Sequence, residues 1–271
     1  MITGATSGIG QVAAEKLAAM GARIVQVARN RARGDAALAR LKQINPDADH
    51  KAHYADLLLM RDTKRVAADI AAAEPRIDVL INNAGAIFAQ RQVTSEGLER
   101  TFALNHMSYF LLTAGLRERL VATPGARIVN VASGAHRRGH VDFEDLQRAK
   151  KYVPFPVYGT TKLCNVLFTR ELARRLAGTG VTANCLHPGF VATRFGNEAG
   201  PLYSMGVRVA KLFAINQDEG SRTTVYLASS PDVAGVTGGY FDKSALATPS
   251  VEAQDDVAAR KLWEVSEKLA G

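Results

Sequence analysis

The chain alternates short apolar runs with helical stretches over its whole length, and this alternation limits its fold more than any other feature. The runs are rich in β-branched residues and read "ARIVQVAR", "KAHYADL", "IDVLINNAG", "ARIVNVAS", "GVTANCLHPG" and "GGYFD". Because they are apolar almost throughout, they predict parallel strands covered on both faces. With the short run before Gly4, they predict one doubly wound α/β domain over residues 1–271, whose mostly parallel seven-stranded sheet carries helices on both faces.

Composition narrows the class of protein. The 271 residues are 47% apolar, enough for a large core, and no apolar run reaches the ~18–20 residues of a membrane span. We therefore expect no integral membrane segment and no leader peptide. The two cysteines, Cys164 and Cys185, fit packing in a reducing cytoplasm better than a disulfide framework. The net charge of +8 is spread along the chain, so it favours an anionic cofactor over nucleic acid.

The chain opens on a glycine-rich loop, "MITGATSGIG". Gly4 lets the chain leave a strand tightly, Gly8 lets backbone approach a ligand, and Gly10 lets the following helix pack closely. A helix that begins near Gly8 would direct free N–H groups at a phosphate. The spacing is G-x-x-x-G-x-G, and a tight turn that needs glycine for its backbone alone is the alternative.

The strand before this loop is short. Only Met1, Ile2 and Thr3 precede Gly4, whereas a typical strand has about 5–6 residues. We expect the natural protein to carry a short apolar lead-in. The alternative is a naturally short strand whose lost burial is offset by cofactor binding.

The end of the second strand predicts which dinucleotide a Rossmann-type domain would bind. An acidic residue at that position holds the ribose hydroxyls of NAD, whereas an arginine accommodates the 2′-phosphate of NADP. This chain has Ala28 at the position of the acid, followed by Arg29. A guanidinium pairs with a phosphate in fork geometry, so the sequence favours NADP(H). A plain surface arginine is the alternative, but it leaves the missing acid unexplained.

Tyr158 and Lys162 are four residues apart in "VYGTTKLCN" and share one face of a helix. A phenol has a pKa near 10, and a neighbouring ammonium is expected to lower it toward the working range of a general acid or base. Ser133 ends the strand "ARIVNVAS", where its hydroxyl can orient a substrate oxygen. No G-x-S-x-G elbow surrounds Ser133, so we do not expect it to be a nucleophile.

Asn105 is a poor helix former inside the apolar helix "FALNHMSYF". Two interpretations stay open: its side chain bonds its own backbone, or it holds a water molecule. The six histidines show no spacing typical of metal ligands, so we expect no metal site.

These motifs, in this order, resemble those of the short-chain dehydrogenase/reductase family from Thr3 to the last helix. "TGATSGIG" is similar to the family's T-G-x-x-x-G-x-G loop, and "NNAG" at residues 82–85 is similar to its fourth-strand motif. The catalytic tetrad of the family matches Asn105, Ser133, Tyr158 and Lys162. The resemblance implies a hydride transfer in which Tyr158 exchanges the proton, Ser133 steadies the oxygen and Asn105 holds a relay water beside Lys162.

The resemblance also implies the cofactor contacts. The loop residues that it assigns to NADP(H) are Gly4, Ser7, Gly8, Ile9 and Gly10, with Arg29 at the 2′-phosphate. Asp56 and Leu57 match the pair beside the adenine, and Asn83, Ala84 and Gly85 match the stretch along its ribose. Tyr158 and Lys162 match the residues at the nicotinamide ribose, and the segment around its carboxamide matches Pro188, Gly189 and Thr193.

Within the family, the stretches around Tyr158 and near the end of the chain resemble the retinol-dehydrogenase-like branch. This implies a small lipophilic aldehyde, ketone or alcohol as substrate. The apolar stretch "LYSMGVRVAKLFAI" is expected to belong to a substrate lid at about 193–218, with an amphipathic membrane contact as the alternative. Members commonly associate through the helices before and containing the catalytic tyrosine, so a homodimer or homotetramer is expected. Two alternative functions stay open, a reductase of conjugated C=C bonds and a non-catalytic NADP(H)-sensing scaffold.

Overall fold

The structure is a computed structural model, and it describes residues 1–189 and 216–271. In that part of the chain eight strands form one sheet. Their bounds are β1 (Ile2–Thr3), β2 (Val25–Ala28), β3 (Lys51–Tyr54), β4 (Val79–Asn82), β5 (Arg127–Val131), β6 (Thr182–His187), β7 (Tyr240–Asp242) and β8 (Ala245–Ala247). The predicted lid at 193–218 and Thr193 lie outside the described residues, except for 216–218 at the start of a helix.

Helices connect the strands. The helices of the described residues are α1 (Gly8–Ala19), α2 (Arg31–Ile44), α3 (Met60–Ala73), α4 (Arg100–Phe102), α5 (Ser108–Gly115), α6 (Arg117–Val121), α7 (Pro154–Arg175), α8 (Gln217–Ser229) and α9 (Asp256–Ala270). A π-helical turn, Ala103–Met107, joins α4 to α5. Short 3₁₀ helices cover Gly134–Arg138, Pro231–Val233 and Glu252–Gln254.

The sheet order is β3-β2-β1-β4-β5-β6-β7-β8. All neighbours are parallel except β7 and β8, which pair antiparallel with Tyr240 opposite Ala247. The doubly wound α/β fold is therefore confirmed, and the predicted count of seven strands is corrected to eight. The sequence prediction missed β8 because it has three residues, two of them exposed, so it gives no apolar run.

Successive strand residues enter two separate cores, which explains the near-continuous apolar runs. Leu80 and Ile128 pack toward α3, α5 and α7, whereas Ile81 and Val129 pack toward α1 and α8. Side chains alternate between the faces of a strand, so a strand covered on both faces must be apolar at every position. Both faces of this sheet are covered by helices.

A hydrogen-bonded network of buried amide and hydroxyl groups lies in the core between the sheet and helices α3, α5 and α7. Asn82 Nδ2 donates to Asn130 Oδ1 at 2.9 Å and to Thr113 Oγ1 at 3.2 Å. Asn130 Nδ2 in turn donates to Thr169 Oγ1 on α7 at 2.9 Å. Buried polar groups need partners, so this network fixes how α5 and α7 lie against the sheet.

The central strand β1 is short, as the sequence shows. The α-amino group of Met1 donates to the Val79 carbonyl at 2.7 Å, and its burial lowers the pKa of that amino group to about 6. The Met1 carbonyl accepts from Ile81 N at 2.9 Å. The expectation of an apolar lead-in stays a prediction.

Candidate active site

The glycine loop follows β1 at the edge of the sheet where the parallel strands end. Gly4 and Gly8 have φ angles of +69° and +62°, which side chains rarely permit. A Cβ on Gly10 would lie 2.5 Å from the Gly4 carbonyl oxygen and would also collide with the amide of Asn83. Ser7 caps α1 without a side-chain hydrogen bond to its first turn. The N–H groups at this helix start, Ile9 among them, therefore suit a phosphate.

Thr3 joins this loop to the fourth-strand motif. Its hydroxyl oxygen accepts from Asn83 N at 3.0 Å and from Ala84 N at 2.9 Å, and Thr3 is fully buried. In the opposite direction, Asn83 Nδ2 donates to the Thr3 carbonyl at 2.9 Å. The two motifs that the sequence singled out thus hold each other in place. We call Thr3–Gly10 together with Asn83–Gly85 the glycine side of the site.

Arg29 lies exposed directly after β2, at the start of α2. Asn30 caps that helix by accepting from Arg33 N at 3.0 Å, and the first turn of α2 has no acidic residue. The guanidinium of Arg31 stacks on the Tyr54 ring at 4.2 Å from its centroid. Arg29, Arg31 and Arg33 thus all belong to the residues at this helix N-terminus, and their charge favours an anion there. Sequence reasoning missed Arg31, although the repeat in "ARNRAR" could have pointed to it.

Asp56 and Leu57 follow β3. Asp56 Oδ1 accepts from Leu58 N at 3.1 Å, so this carboxylate shapes the turn that the sequence assigned to the adenine. Leu57 is buried. A cavity of about 470 Å³ opens beside the turn, and its lining comprises Asp56, Leu58, Leu59, Gln92, Val93, Thr94 and Arg100.

Asn105 sits in the π-helical turn, fully buried. Its Oδ1 accepts from Ala86 N at 2.9 Å, and its Nδ2 donates to the Ala86 carbonyl at 2.9 Å and to Thr161 Oγ1 at 3.0 Å. The side chain therefore does not bond its own backbone but links the end of the fourth-strand motif to α7. The expectation that it holds a water molecule stays a prediction. Single π-helical turns are frequent at functional sites.

Lys162 reaches the same place from α7. Its Nζ donates to the Val131 carbonyl at 2.8 Å, at the end of β5. A Cβ on Gly85 would lie 3.2 Å from Asn105 Oδ1 and 3.5 Å from Lys162 Nζ. The missing side chain of Gly85 therefore leaves room between these two polar groups, and the structure brings Asn105, Lys162 and the fourth-strand motif together.

Tyr158 and Ser133 complete the group. A side-chain hydrogen bond joins the two residues, and Ser133 Oγ also accepts from Ala135 N at 3.2 Å. Lys162 Nζ lies 5.6 Å from the centroid of the Tyr158 ring. All four residues of the expected tetrad thus meet at the ends of β4 and β5. We call Ser133, Tyr158 and Lys162 with their supporting contacts the Ser133 side of the site.

The pKa values of this pair differ from the sequence expectation. Burial raises the pKa of the Tyr158 phenol, and the hydrogen bond from Ser133 opposes that rise only in part. Burial also lowers the pKa of Lys162 to about 7. Loss of water is the main cause of both shifts. The chain alone therefore keeps the phenol protonated.

Two glycines bring the Ser133 loop onto α7. A Cβ on Gly139 would lie 2.5 Å from the Gly159 carbonyl oxygen, and one on Gly159 would lie 2.9 Å from the Ala135 carbonyl oxygen. Only residues without side chains allow this approach, which sets Ser133 against Tyr158. Arg148 fastens the same contact by donating to the His140 carbonyl at 2.5 Å and to Thr160 Oγ1 at 2.9 Å. Sequence reasoning missed these supports because they match no motif.

Pro188 and Gly189 follow β6, and Gly189 has a φ of +84°. The buried Nδ1 of His187, just before them, has no hydrogen-bond partner among the residues that the structure describes. Cys164 and Cys185 are free and buried, and burial raises the pKa of each thiol to about 12, which suits packing.

Across 1–189 and 216–271, no cluster of three or more metal-ligating side chains occurs. None of the helices in those ranges has the length and apolar character to cross a membrane.

Comparison with known proteins agrees with this geometry. The family model described as short chain dehydrogenase matches residues 1–202. Retinol dehydrogenase 14 of Mus musculus is 40% identical, with all of this chain and 85% of that protein aligned. Retinol dehydrogenase 13 of Homo sapiens is 37% identical over all of this chain and 84% of its own length.

Two solved structures are also similar to this chain. An uncharacterised protein from Mycobacterium Paratuberculosis superimposes with a TM-score of 0.79 at 32% identity, covering 99% of this chain and 91% of its own. A short-chain dehydrogenase from Sphingobium yanoikuyae, solved with NADPH, has a TM-score of 0.66 at 30% identity. That alignment covers 83% of this chain and 81% of the other.

Proposed function

This chain belongs to the short-chain dehydrogenase family, in its retinol-dehydrogenase-like branch, and is an oxidoreductase of alcohol or carbonyl groups. From that premise we propose that it transfers a hydride between NADP(H) and the carbonyl or alcohol carbon of a small lipophilic substrate. The observation that carries the proposal is the convergence of Asn105, Ser133, Tyr158 and Lys162 beside a glycine loop shaped for a phosphate.

Each residue of the tetrad has a distinct task in this proposal. Tyr158 donates a proton from its phenol oxygen to the carbonyl oxygen of the substrate, or takes it back from an alcohol. Ser133 donates a hydrogen bond to the same oxygen and so orients it toward Tyr158. Lys162 binds the ribose hydroxyls beside the nicotinamide. Asn105 bonds both Ala86 and Thr161, and so holds Ala86 against α7. A relay water beside Asn105 stays a prediction.

The protonated phenol suits reduction. A general acid must hold its proton until the substrate oxygen gains charge, and burial keeps the Tyr158 phenol protonated. When bound, NADP(H) would supply or accept the hydride, and its oxidised form would bring a positive charge that lowers the pKa of a nearby phenol. The residues proposed to hold it are those of the glycine side, Arg29, Asp56, Leu57, Pro188, Gly189 and Thr193.

The choice of NADP(H) over NAD(H) rests on charge. Arg29 and Arg31 stand at the end of β2, and no acidic residue occupies that position or the first turn of α2. A ribose 2′-phosphate brings about two negative charges, which a carboxylate there would repel. The relative from Sphingobium yanoikuyae that was solved with NADPH supports the same choice.

The lipophilic substrate is supported by what surrounds the phenol. Ile87 and Tyr158 form a small apolar cluster with Ala135 and Phe155, separate from the two main cores. The rings of Phe155 and Tyr158 lie 6.3 Å apart. A reacting oxygen at Tyr158 would therefore be attached to an apolar body. The names of the retinol dehydrogenase relatives agree with such a substrate. A cytoplasmic location remains part of this proposal.

The test is a panel of saturated aldehydes and ketones of increasing chain length, assayed by the loss of NADPH absorbance. A matched panel carries a conjugated C=C bond, and products are identified by chromatography. We expect alcohols from both panels and higher kcat/KM for longer apolar chains. Saturated carbonyl products would instead show reduction of the C=C bond. NADPH binding without oxidation of NADPH by any substrate would indicate a sensing scaffold.

A further inference from the structure

His136 lies in the 3₁₀ helix that follows Ser133, and its side chain is fully buried. Its Nδ1 is 2.7 Å from the Ser133 carbonyl oxygen, and its Nε2 is 3.1 Å from Ser250 N. A backbone N–H can only donate, so Nε2 must accept from Ser250. The proton of the neutral ring is therefore on Nδ1, which donates to Ser133. The two neighbours of this imidazole thus determine its tautomer.

Ser133 is held through both of its oxygens. Its carbonyl oxygen accepts from the backbone N–H of His136 at 3.1 Å as well as from the ring. Its hydroxyl oxygen bonds Tyr158 and accepts from Ala135 N. Because both oxygens belong to one residue, a rotation of the Ser133 backbone would also move the hydroxyl away from the phenol.

We propose that His136 is a positioning residue for Ser133, which it fixes through its Nδ1–H while the backbone of Ser250 fixes the imidazole. This inference rests on the proposed function, in which Ser133 orients the substrate oxygen. It also gives the stretch around Ser250 a role at the site, although 114 positions separate it from His136 in the chain. A second hydrogen bond joins the same two segments, because the guanidinium of Arg137 donates to the Thr248 carbonyl at 2.6 Å.

The surroundings of the ring favour its neutral form. It packs against Tyr240 at 4.8 Å between centroids, and the charged or titratable groups that face it are Arg137, His187 and Glu252. Burial lowers the pKa of His136, and Arg137 and His187 act in the same direction, whereas the hydrogen bond to the Ser133 carbonyl and the charge of Glu252 oppose them. Protonation would turn Nε2 into a donor that faces the Ser250 N–H. Acid should therefore free the imidazole from Ser250 N–H, and although Nδ1–H still donates to the Ser133 carbonyl, Ser133 would then be held by a less fixed ring.

Two substitutions separate the two hydrogen bonds. In His136→Asn, the side-chain amide can replace Nδ1 as donor to Ser133, but it does not reach Ser250. In His136→Gln, the side-chain oxygen can replace Nε2 as acceptor from Ser250, but the donor to Ser133 is lost. His50→Gln is a matched control, because His50 is equally buried and bonds Ile24 N and the Asn45 carbonyl at the opposite edge of the sheet.

We expect His136→Gln to lower kcat by at least about tenfold while KM for NADPH stays within about threefold. His136→Asn should exceed the Gln variant in kcat by at least about fivefold. His50→Gln should lower the melting temperature without lowering kcat. Equal losses in the Asn and Gln variants, or a larger loss in the Asn variant, would overturn the proposal.

A second measurement needs no variant. Nitrogen NMR of the histidine-labelled wild-type protein reports the tautomer of His136 directly. We expect the Nδ1–H form at neutral pH, with an acid limb in kcat that follows its protonation. A ring that is charged or protonated on Nε2 at neutral pH would overturn the proposal. Failure of the wild-type protein to oxidise NADPH with any carbonyl would instead remove the proposed function, and the tautomer would still decide how Ser133 is held.

Discussion

The two sides of the site are built by different means. On the glycine side, Thr3 and Asn83 bond each other's backbone, and both belong to motifs that can be read directly from the sequence. On the Ser133 side, the reactive residues are held by groups outside any motif, among them the Val131 carbonyl, His136 and Ser250. Self-contained motifs thus shape the proposed phosphate site, whereas the alignment of a hydroxyl, a phenol and an ammonium depends on several distant segments.

The largest expected effect concerns the Ser133 side alone. Tyr158→Phe removes the proton donor, so turnover should fall by roughly 10²–10⁴-fold, while NADPH binding on the glycine side stays nearly intact. Steady-state kinetics with NADPH titration by fluorescence measures both. Tyr226→Phe, which alters a half-buried phenol on α8, serves as the control. If the Tyr158→Phe variant turns over within a few-fold of wild type, the role of Tyr158 is refuted.

The next effect concerns the glycine side. Thr3→Val keeps the shape of the side chain but leaves the N–H groups of Asn83 and Ala84 without their acceptor. Each lost partner of a buried donor costs about 1–3 kcal/mol, so urea denaturation should show a loss of roughly 2 kcal/mol or more, and NADPH affinity should fall too. Thr113→Val is the control, because its donor Asn82 also bonds Asn130. Equal losses in the two variants would contradict the special role of Thr3.

A smaller effect tests the cofactor choice. Arg29→Ala should weaken NADPH binding by roughly 10- to 100-fold, because a charge-assisted bond to one phosphate contributes about 1.5–3 kcal/mol. NADH binding should hardly change. Lys42→Ala, at the other end of α2, controls for the loss of one positive charge. If both cofactors lose affinity equally, Arg29 does not read the 2′-phosphate.

The smallest expected effect concerns the association of copies of this chain, which we expect α9 to prevent. This helix lies on α5 and α7, where the Trp263 ring packs against Phe110 at 5.1 Å and Phe168 at 5.8 Å. Asp256 on α9 also pairs with Arg174 at 2.7 Å. The family resemblance predicts pairing of copies through α5 and α7, but the chain's own helix already covers them.

We therefore expect a single-chain mass for the intact protein over a wide concentration range in sedimentation velocity. Trp263→Glu should loosen α9 and allow association at high concentration. A stable dimer of the intact chain, cross-linked through engineered cysteines on α5 or α7, would show that α9 leaves this face.

Much of this molecule was predicted from the sequence for reasons that are local. A strand covered on both faces must be apolar at every position, and a helix that starts on a phosphate needs glycine in the turn before it. Such requirements act on neighbouring residues, so the sheet and its helices could be inferred. The expected tetrad came from the family resemblance, and the structure brings its four residues together. The strand β8 escaped prediction because it is short and lies exposed at the sheet edge.

The sequence by itself determined which residues are candidates for the proposed chemistry: a phenol and an ammonium one turn apart, a serine at a strand end, and an arginine where an acid would stand. Only the tertiary structure decided how they are held and in which protonation state. It directs Lys162 at Val131, ties Asn105 to Ala86 and Thr161, and buries the phenol so that its pKa rises. Burial and long-range hydrogen bonds depend on segments that are distant in the chain, so no local pattern encodes them.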